Sequence, residues 1–187
     1  HPFALQKTFE GNTDIDRVAR LVLKESGLAY REMDYFPYGY DERQYNSPGF
    51  RLPVASLMRG QHGTFPEYHT SLDNLDFVSG QRMAESLGVL RNIVHTLQRN
   101  ARYTNLAPFG EPQLGKRGLY RAMGGTSIPG LQFAMLWVLA MSDGRHSLLD
   151  IAERAGVQFE TLHTAATLLH DHQLLAQDGG PVSLTPR

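Results

Sequence analysis

The chain of 187 residues contains no cysteine, so disulfides and thiolate metal sites are excluded. It has almost no net charge: 18 Lys and Arg stand against 19 Asp and Glu, giving −1 with neutral histidines. Long-range attraction to nucleic acid or to an anionic membrane therefore has no basis in composition. No apolar run approaches the roughly 20 residues of a membrane span. The first residues lack a secretory pattern, and cytoplasm is the expected compartment. What remains is ordinary for a globular protein, with 41% hydrophobic and 20% charged residues. The length suits one or two domains.

The densest set of chemistry-bearing residues lies between Gly39 and Asp76. Val54 to Met58, bounded by Pro53 and Gly60, reads as a buried strand of a parallel sheet covered on both faces. Before it stands a loop with Asp41, Glu42 and Arg43 and the turn signal Ser47-Pro48-Gly49. After it comes a loop rich in glycine and aromatics that ends in Glu67-Tyr68-His69-Thr70 and Leu72-Asp73-Asn74. Open α/β sheets bind ligands beyond the carboxyl ends of their strands, so this second loop is placed to carry a site. His69 and Asp73 allow two readings. In one, the imidazole binds zinc while a carboxylate or carbonyl fixes its other nitrogen. In the other, a loop histidine bonds to backbone and Asp73 caps a turn. Spacing does not choose between them, because His-x3-Asp is a weak motif.

The segments YDERQY, SPGFRLPVASLMR, EYHTSLDNLD and EPQLGKRGLY, in that order, resemble a bacterial family of zinc aminopeptidase-like proteins. In that family a domain similar to di-zinc exopeptidases precedes a winged helix. The resemblance implies an α/β fold: the carboxyl-terminal part of a zinc-exopeptidase-like α/β/α sandwich, then a helical winged helix-turn-helix with a β-hairpin. It implies zinc as cofactor and His69 as a metal ligand. Asp41 and Glu42 become the catalytic candidates, with Tyr68 and Asp73 supporting the loop. Asp41 is similar to the family's acidic residue near the metal, while Glu42 stands where many relatives have His. Tyr40 is bulky where the family has a small residue. The family's remaining ligands and general base lie upstream of the matched stretch. A catalytic zinc needs about three protein ligands and an open position. The chain is thus expected to be a fragment, one half of a two-piece site, or a degenerate copy. The implied activity is hydrolysis of an amide or peptide bond near a free amine. The competing expectation is an inactive scaffold or interaction module. Expected partners are a second chain or an N-terminal segment completing the sheet and the metal site, or a second copy of the chain.

The expected organisation is a partial aminopeptidase-like domain over 1–103, a linker over 104–125 and a winged helix over 126–187. Asp14 and Asp16 open a first helix whose apolar face is Ile15, Val18, Ala19 and Val22, with Gly27 at its end. Tyr30 to Phe36 alternates as a strand. Ser79 caps a long helix to about Arg102, with Met83, Leu87, Leu90, Val94 and Leu97 as a core-facing stripe and Arg82, Arg91 and Arg99 outward. Lys116, Arg117 and Arg121 form a small basic cluster. Further on, Pro129 starts a helix with Leu131, Ala134, Met135, Val138 and Met141 inward. Ser147 and Asp150 form a capping box. Phe159 to His170 is a third helix, and Leu174–Ala176 and Val182–Leu184 pair as a hairpin. That third helix offers Glu160, His163 and Asp171, and no Lys or Arg lies between Arg154 and Arg187. DNA affinity rests on neutralising phosphates, so nucleic acid is not the expected partner.

Overall fold

Phe3, Ala4, Leu5 and Gln6 are buried along their whole length and form β1 (Phe3–Gln6), the central strand of the first sheet. The computed structural model describes residues 1–119 and 130–178. These divide into two units, one over 1–97 and one from 98 onward.

In the first unit, β1 leads into α1 (Asp14–Ser26), which returns the chain to β2 (Tyr30–Met33), paired parallel to β1 from Phe3↔Tyr30 to Gln6↔Met33. The helix buries Val18, Ala19, Val22 and Leu23, and each valine or leucine side chain removed from water contributes roughly 1.5–3 kcal/mol. Gly27 ends it at φ 67°, a left-handed position that glycine adopts without steric cost. Asp16 does more than favour the helix dipole. It is fully buried, and its carboxylate accepts the backbone N–H and hydroxyl of both Thr8 (2.7 and 2.6 Å) and Thr13 (2.9 and 2.8 Å). One side chain thus fastens the end of β1 to the start of α1. After α2 (Asp41–Tyr45), β3 (Ser56–Arg59) pairs antiparallel to β1, giving the order β2-β1-β3.

Two expectations fail here. The strand near Val54–Met58 is neither parallel nor buried: β3 is an antiparallel edge, half-exposed throughout. Val54 and Ala55 stay outside it because the Val54 carbonyl is taken by the Asn46 side chain at 2.7 Å and its N–H by Leu52 at 2.9 Å. The long helix α3 runs over Gly80–Arg99, but its stripe does not face a core. Met83, Leu87, Leu90 and Val94 are 48–67% exposed, and the buried positions are Val89, Ile93 and Thr96.

In the second unit, β4 (Arg102–Asn105) is the central strand of an antiparallel sheet ordered β5-β4-β6. After it come, in chain order, α4 (Leu131–Met141), β5 (Asp143–Ser147), α5 (Leu148–Ala155), α6 (Phe159–Asp171) and β6 (Leu175–Gln177). Ser147 and Asp150 form the expected box: the Ser147 N–H and hydroxyl donate to the Asp150 carboxylate at 2.7 and 3.0 Å. Asn100 accepts the Leu149 N–H at 3.0 Å, so the residue just after α3 caps the start of α5. The strand β6 pairs with β4, Tyr103↔Gln177 to Asn105↔Leu175. Val182–Leu184, Pro129, Tyr120 and Arg121 lie outside the described residues.

Candidate functional site

The loop that follows β3 folds through tight turns. Thr64 donates its hydroxyl to the Gln61 carbonyl (2.6 Å), Tyr68 its N–H to Phe65 (3.3 Å), and Thr70 its hydroxyl to Glu67 (2.9 Å). These turns place His69 at φ 60°, a left-handed backbone that is uncommon outside glycine. The turn also lays the Tyr68 and His69 rings against one another, 4.0 Å between centroids and 15° from parallel. Tyr40, immediately before α2, reaches the same place from the other loop. Its hydroxyl hydrogen-bonds the Tyr68 hydroxyl and stands 3.2 Å from His69 Nε2. His62 closes the group, 5.6 Å from the Tyr40 ring and 6.0 Å from that of Tyr68, and Phe65 meets Tyr68 edge-on at 5.7 Å.

This arrangement fixes the His69 imidazole on two sides, by a stacked ring and by a hydroxyl. The hydroxyl can serve either tautomer, donating to a bare Nε2 or accepting from Nε2–H. Its hydrogen bond to Tyr40, reinforced by burial, pushes the Tyr68 phenol up to about 12, so Tyr68 is a neutral phenol throughout the physiological range.

The carboxylates expected beside the imidazole are placed differently. Glu42 is buried, and its carboxylate turns back to accept the Tyr40 N–H at 3.1 and 3.2 Å. Gly39 makes room for that turn, since a Cβ there would meet Glu42 Oε1 at 1.7 Å. Asp41 is exposed at the first position of α2, and its side chain has no hydrogen bond or ion pair among the described residues. Asp73 is exposed as well; its N–H donates to Thr70 at 3.2 Å, while its carboxylate reaches no described partner. The side chain that hydrogen-bonds the His69 ring is therefore Tyr40, 29 positions away and invisible to any spacing rule. Among the described residues no three of His, Cys, Asp and Glu stand together as a metal site. His69 alone does not fit a catalytic zinc, which takes about three protein ligands.

Beside this loop, Arg59 stacks on the Phe3 ring at 4.2 Å and pairs with Glu85 at 2.9 Å. It borders an apolar groove of about 450 Å³ lined by Phe77, Val78, Met83, Leu87 and Leu90. In the second unit, Glu160 of α6 is paired with Arg99 at 2.8 Å, and His163 is held below its usual pKa by burial and then by the Arg99 charge. Among the described residues no helix is long and apolar enough to cross a membrane.

The chain resembles known proteins over nearly all its length. It is 47% identical over 171 residues to a Clostridium acetobutylicum protein named "Putative polysaccharide biosynthesis protein with aminopeptidase-like domain", a match spanning 91% of this chain and 39% of that one. A crystal structure described as a putative peptidase from Clostridium acetobutylicum matches with a TM-score of 0.85 at 41% identity, over 95% of this chain and 39% of the other. The chain thus spans about two-fifths of the length of either relative. The fold is that of part of a peptidase-like structure, mixed α/β with small sheets. Residues 101–177 match a winged helix-turn-helix family, and residues 1–100 match the family described as a domain of unknown function (DUF4910), to which this chain belongs.

Proposed function

We propose that this chain is the carboxyl-terminal part of a zinc-dependent aminopeptidase-like hydrolase acting on an amide or peptide bond near a free amine. The observation that carries this reading is His69, whose ring is clamped by Tyr68 and Tyr40 in the loop beyond a sheet strand. An imidazole held in one orientation is what a metal centre requires of its protein ligand. The peptidase and aminopeptidase-like descriptions of both relatives support the same chemistry. Asp41 and Asp73 both keep a carboxylate without a described partner near this loop, and such a charge suits the ammonium of a substrate with a free amine. Glu42 acts through Tyr40, by holding that residue's backbone. The remaining ligands come from polypeptide beyond the described residues, and that polypeptide is also the occupant of the bare apolar stripe on α3. Met83, Leu87, Leu90 and Val94 suit the apolar face of a sheet, and the relatives carry much more chain than the matched part.

The test uses the Clostridium acetobutylicum relative with its matched region replaced by this chain. The chimera is expected to retain zinc and to release amino-terminal residues from a peptide amide. His69→Ala should lower bound zinc at least about tenfold, the loss of roughly 1.4 kcal/mol or more of binding. Zinc content unaffected by His69→Ala would overturn the assignment. The absence of a ligand triad among the described residues favours a second reading, an inactive interaction module. A well-folded chimera that holds no zinc and cleaves nothing, beside a parent that does both, would establish that reading instead.

A further inference from the structure

A second cleft, of about 490 Å³, opens between the segment after β2 and the loop after α2, lined by Phe9, Tyr35, Pro37, Arg43, Asn46 and Arg51 among others. We propose that it binds an anion, carboxylate or phosphate, carried on a planar apolar group. The proposal stands apart from the hydrolase reading and shares with it only Glu42, here through its backbone carbonyl alone.

Charge gives the first argument. Five of the ten Lys and Arg side chains of the first unit meet a carboxylate: Lys7 meets Asp34, Arg17 meets Asp14, Arg20 meets Glu32, and Arg59 and Arg82 share Glu85. Arg43 and Arg51 have no hydrogen bond from their guanidinium groups and no ion pair among the described residues. Both line this one cleft. Guanidinium groups present paired N–H donors that match the two oxygens of a carboxylate or phosphate.

Construction gives the second. Arg51 lies at φ 46°, a left-handed backbone unusual for a residue with a side chain, and its N–H donates to Ser47 at 2.8 Å. Such strain persists only where the surroundings hold it, and it concentrates at binding sites. The turn is closed on its far side by Leu52, whose N–H donates to the Tyr45 carbonyl at 2.8 Å, and at its base stands Asn46, which is 1% exposed. Its amide donates to the Glu42 and Val54 carbonyls, both at 2.7 Å, and its oxygen accepts the Phe9 N–H at 3.1 Å. One buried side chain therefore ties α2, the segment before β3 and the loop after β1 into a fixed floor. On that floor the Arg51 guanidinium lies 3.8 Å above the Phe9 ring, and Tyr35 meets Phe9 edge-on at 5.5 Å. A guanidinium stacked on a ring keeps its edge N–H groups free for an anion. The Phe9 and Tyr35 rings supply the apolar wall that a planar group would contact.

The test is a calorimetric titration of the chain, at low salt, with phenyl phosphate, phenylacetate and inorganic phosphate. One of the two aromatic anions is expected to bind with Kd below about 1 mM, and at least about tenfold tighter than inorganic phosphate. Whichever of the two binds tighter assigns the anion as phosphate or carboxylate. Arg51→Gly removes the guanidinium while placing at φ 46° the one residue that accepts it freely. This variant should keep its melting temperature and lose at least about tenfold in affinity, with Arg51→Gln giving the same loss. Arg43→Gln should weaken binding likewise. No saturable binding by either aromatic anion, or affinity unchanged in Arg51→Gly and Arg51→Gln, would overturn the proposal.

Discussion

The two units treat their apolar helix faces in opposite ways. In the second, α4 buries Leu131, Ala134, Met135 and Val138, α5 buries Leu148, Leu149, Ile151 and Ala152, and α6 buries Phe159, Leu162, Ala165, Ala166 and Leu169. In the first, α1 does the same, but α3 leaves Met83, Leu87, Leu90 and Val94 in the open. The periodicity of α3 is as regular as that of α6. An amphipathic repeat therefore records that a face needs cover, not that the same chain supplies it. Contiguous exposed apolar surface of this kind marks a contact site.

The contrast can be broken by matched truncations. Leu162→Ala, at a fully buried site, is expected to destabilise the second unit by about 2–5 kcal/mol in urea unfolding, whereas Leu87→Ala, at 67% exposure, should stay within about 0.5 kcal/mol. Equal costs at the two sites would mean that α3 is covered in solution by another copy of the chain. Next in size is Asp16→Ala. It removes a carboxylate that accepts four hydrogen bonds, leaves the Thr8 N–H buried without its partner, and should cost the first unit about 1.5–3 kcal/mol, read by thermal unfolding. A loss confined to tenths would show that α1 holds its place by packing alone. The smallest effect concerns His163. Its folded pKa lies below the usual value because burial and Arg99 oppose the charge, so protonation favours the unfolded chain. The stability of the second unit should be full above about pH 6.5 and decline as pH falls through the folded pKa. His163→Gln should flatten that slope, and an unchanged slope would remove His163 from the account.

Much of the second unit was readable in advance. The box of Ser147 and Asp150, four of the five expected inward residues of α4 (Met141 is only half-buried) and the span of α6 are local signals, set by capping and by the 3.6-residue repeat. The first unit was readable for α1 and β2 and less so for β3. There the apolar run Val54–Met58 suggested a covered parallel strand, and the Asn46 side chain instead claims Val54 while the rest pairs antiparallel at an edge. In the site, His69 stood out by its loop and its family resemblance. Its partner did not, because Tyr40 looked like a bulky departure and nothing in the spacing joins positions 40 and 69. Asn46 and Arg51 left no trace beyond a turn signal, since what joins them to Phe9, through the Asn46 amide and the Arg51 guanidinium, lies some forty residues away in the chain.

What the sequence determined by itself is everything governed by neighbours within about one helical turn: caps, turn glycines, the period of each helix and the absence of thiols and net charge. Only the tertiary structure decided which faces are covered, where Glu42 turns its carboxylate and which hydroxyl meets His69. Those outcomes depend on segments tens of residues apart competing for the same hydrogen bonds and the same apolar surface. Local sequence pattern does not encode the result of that competition.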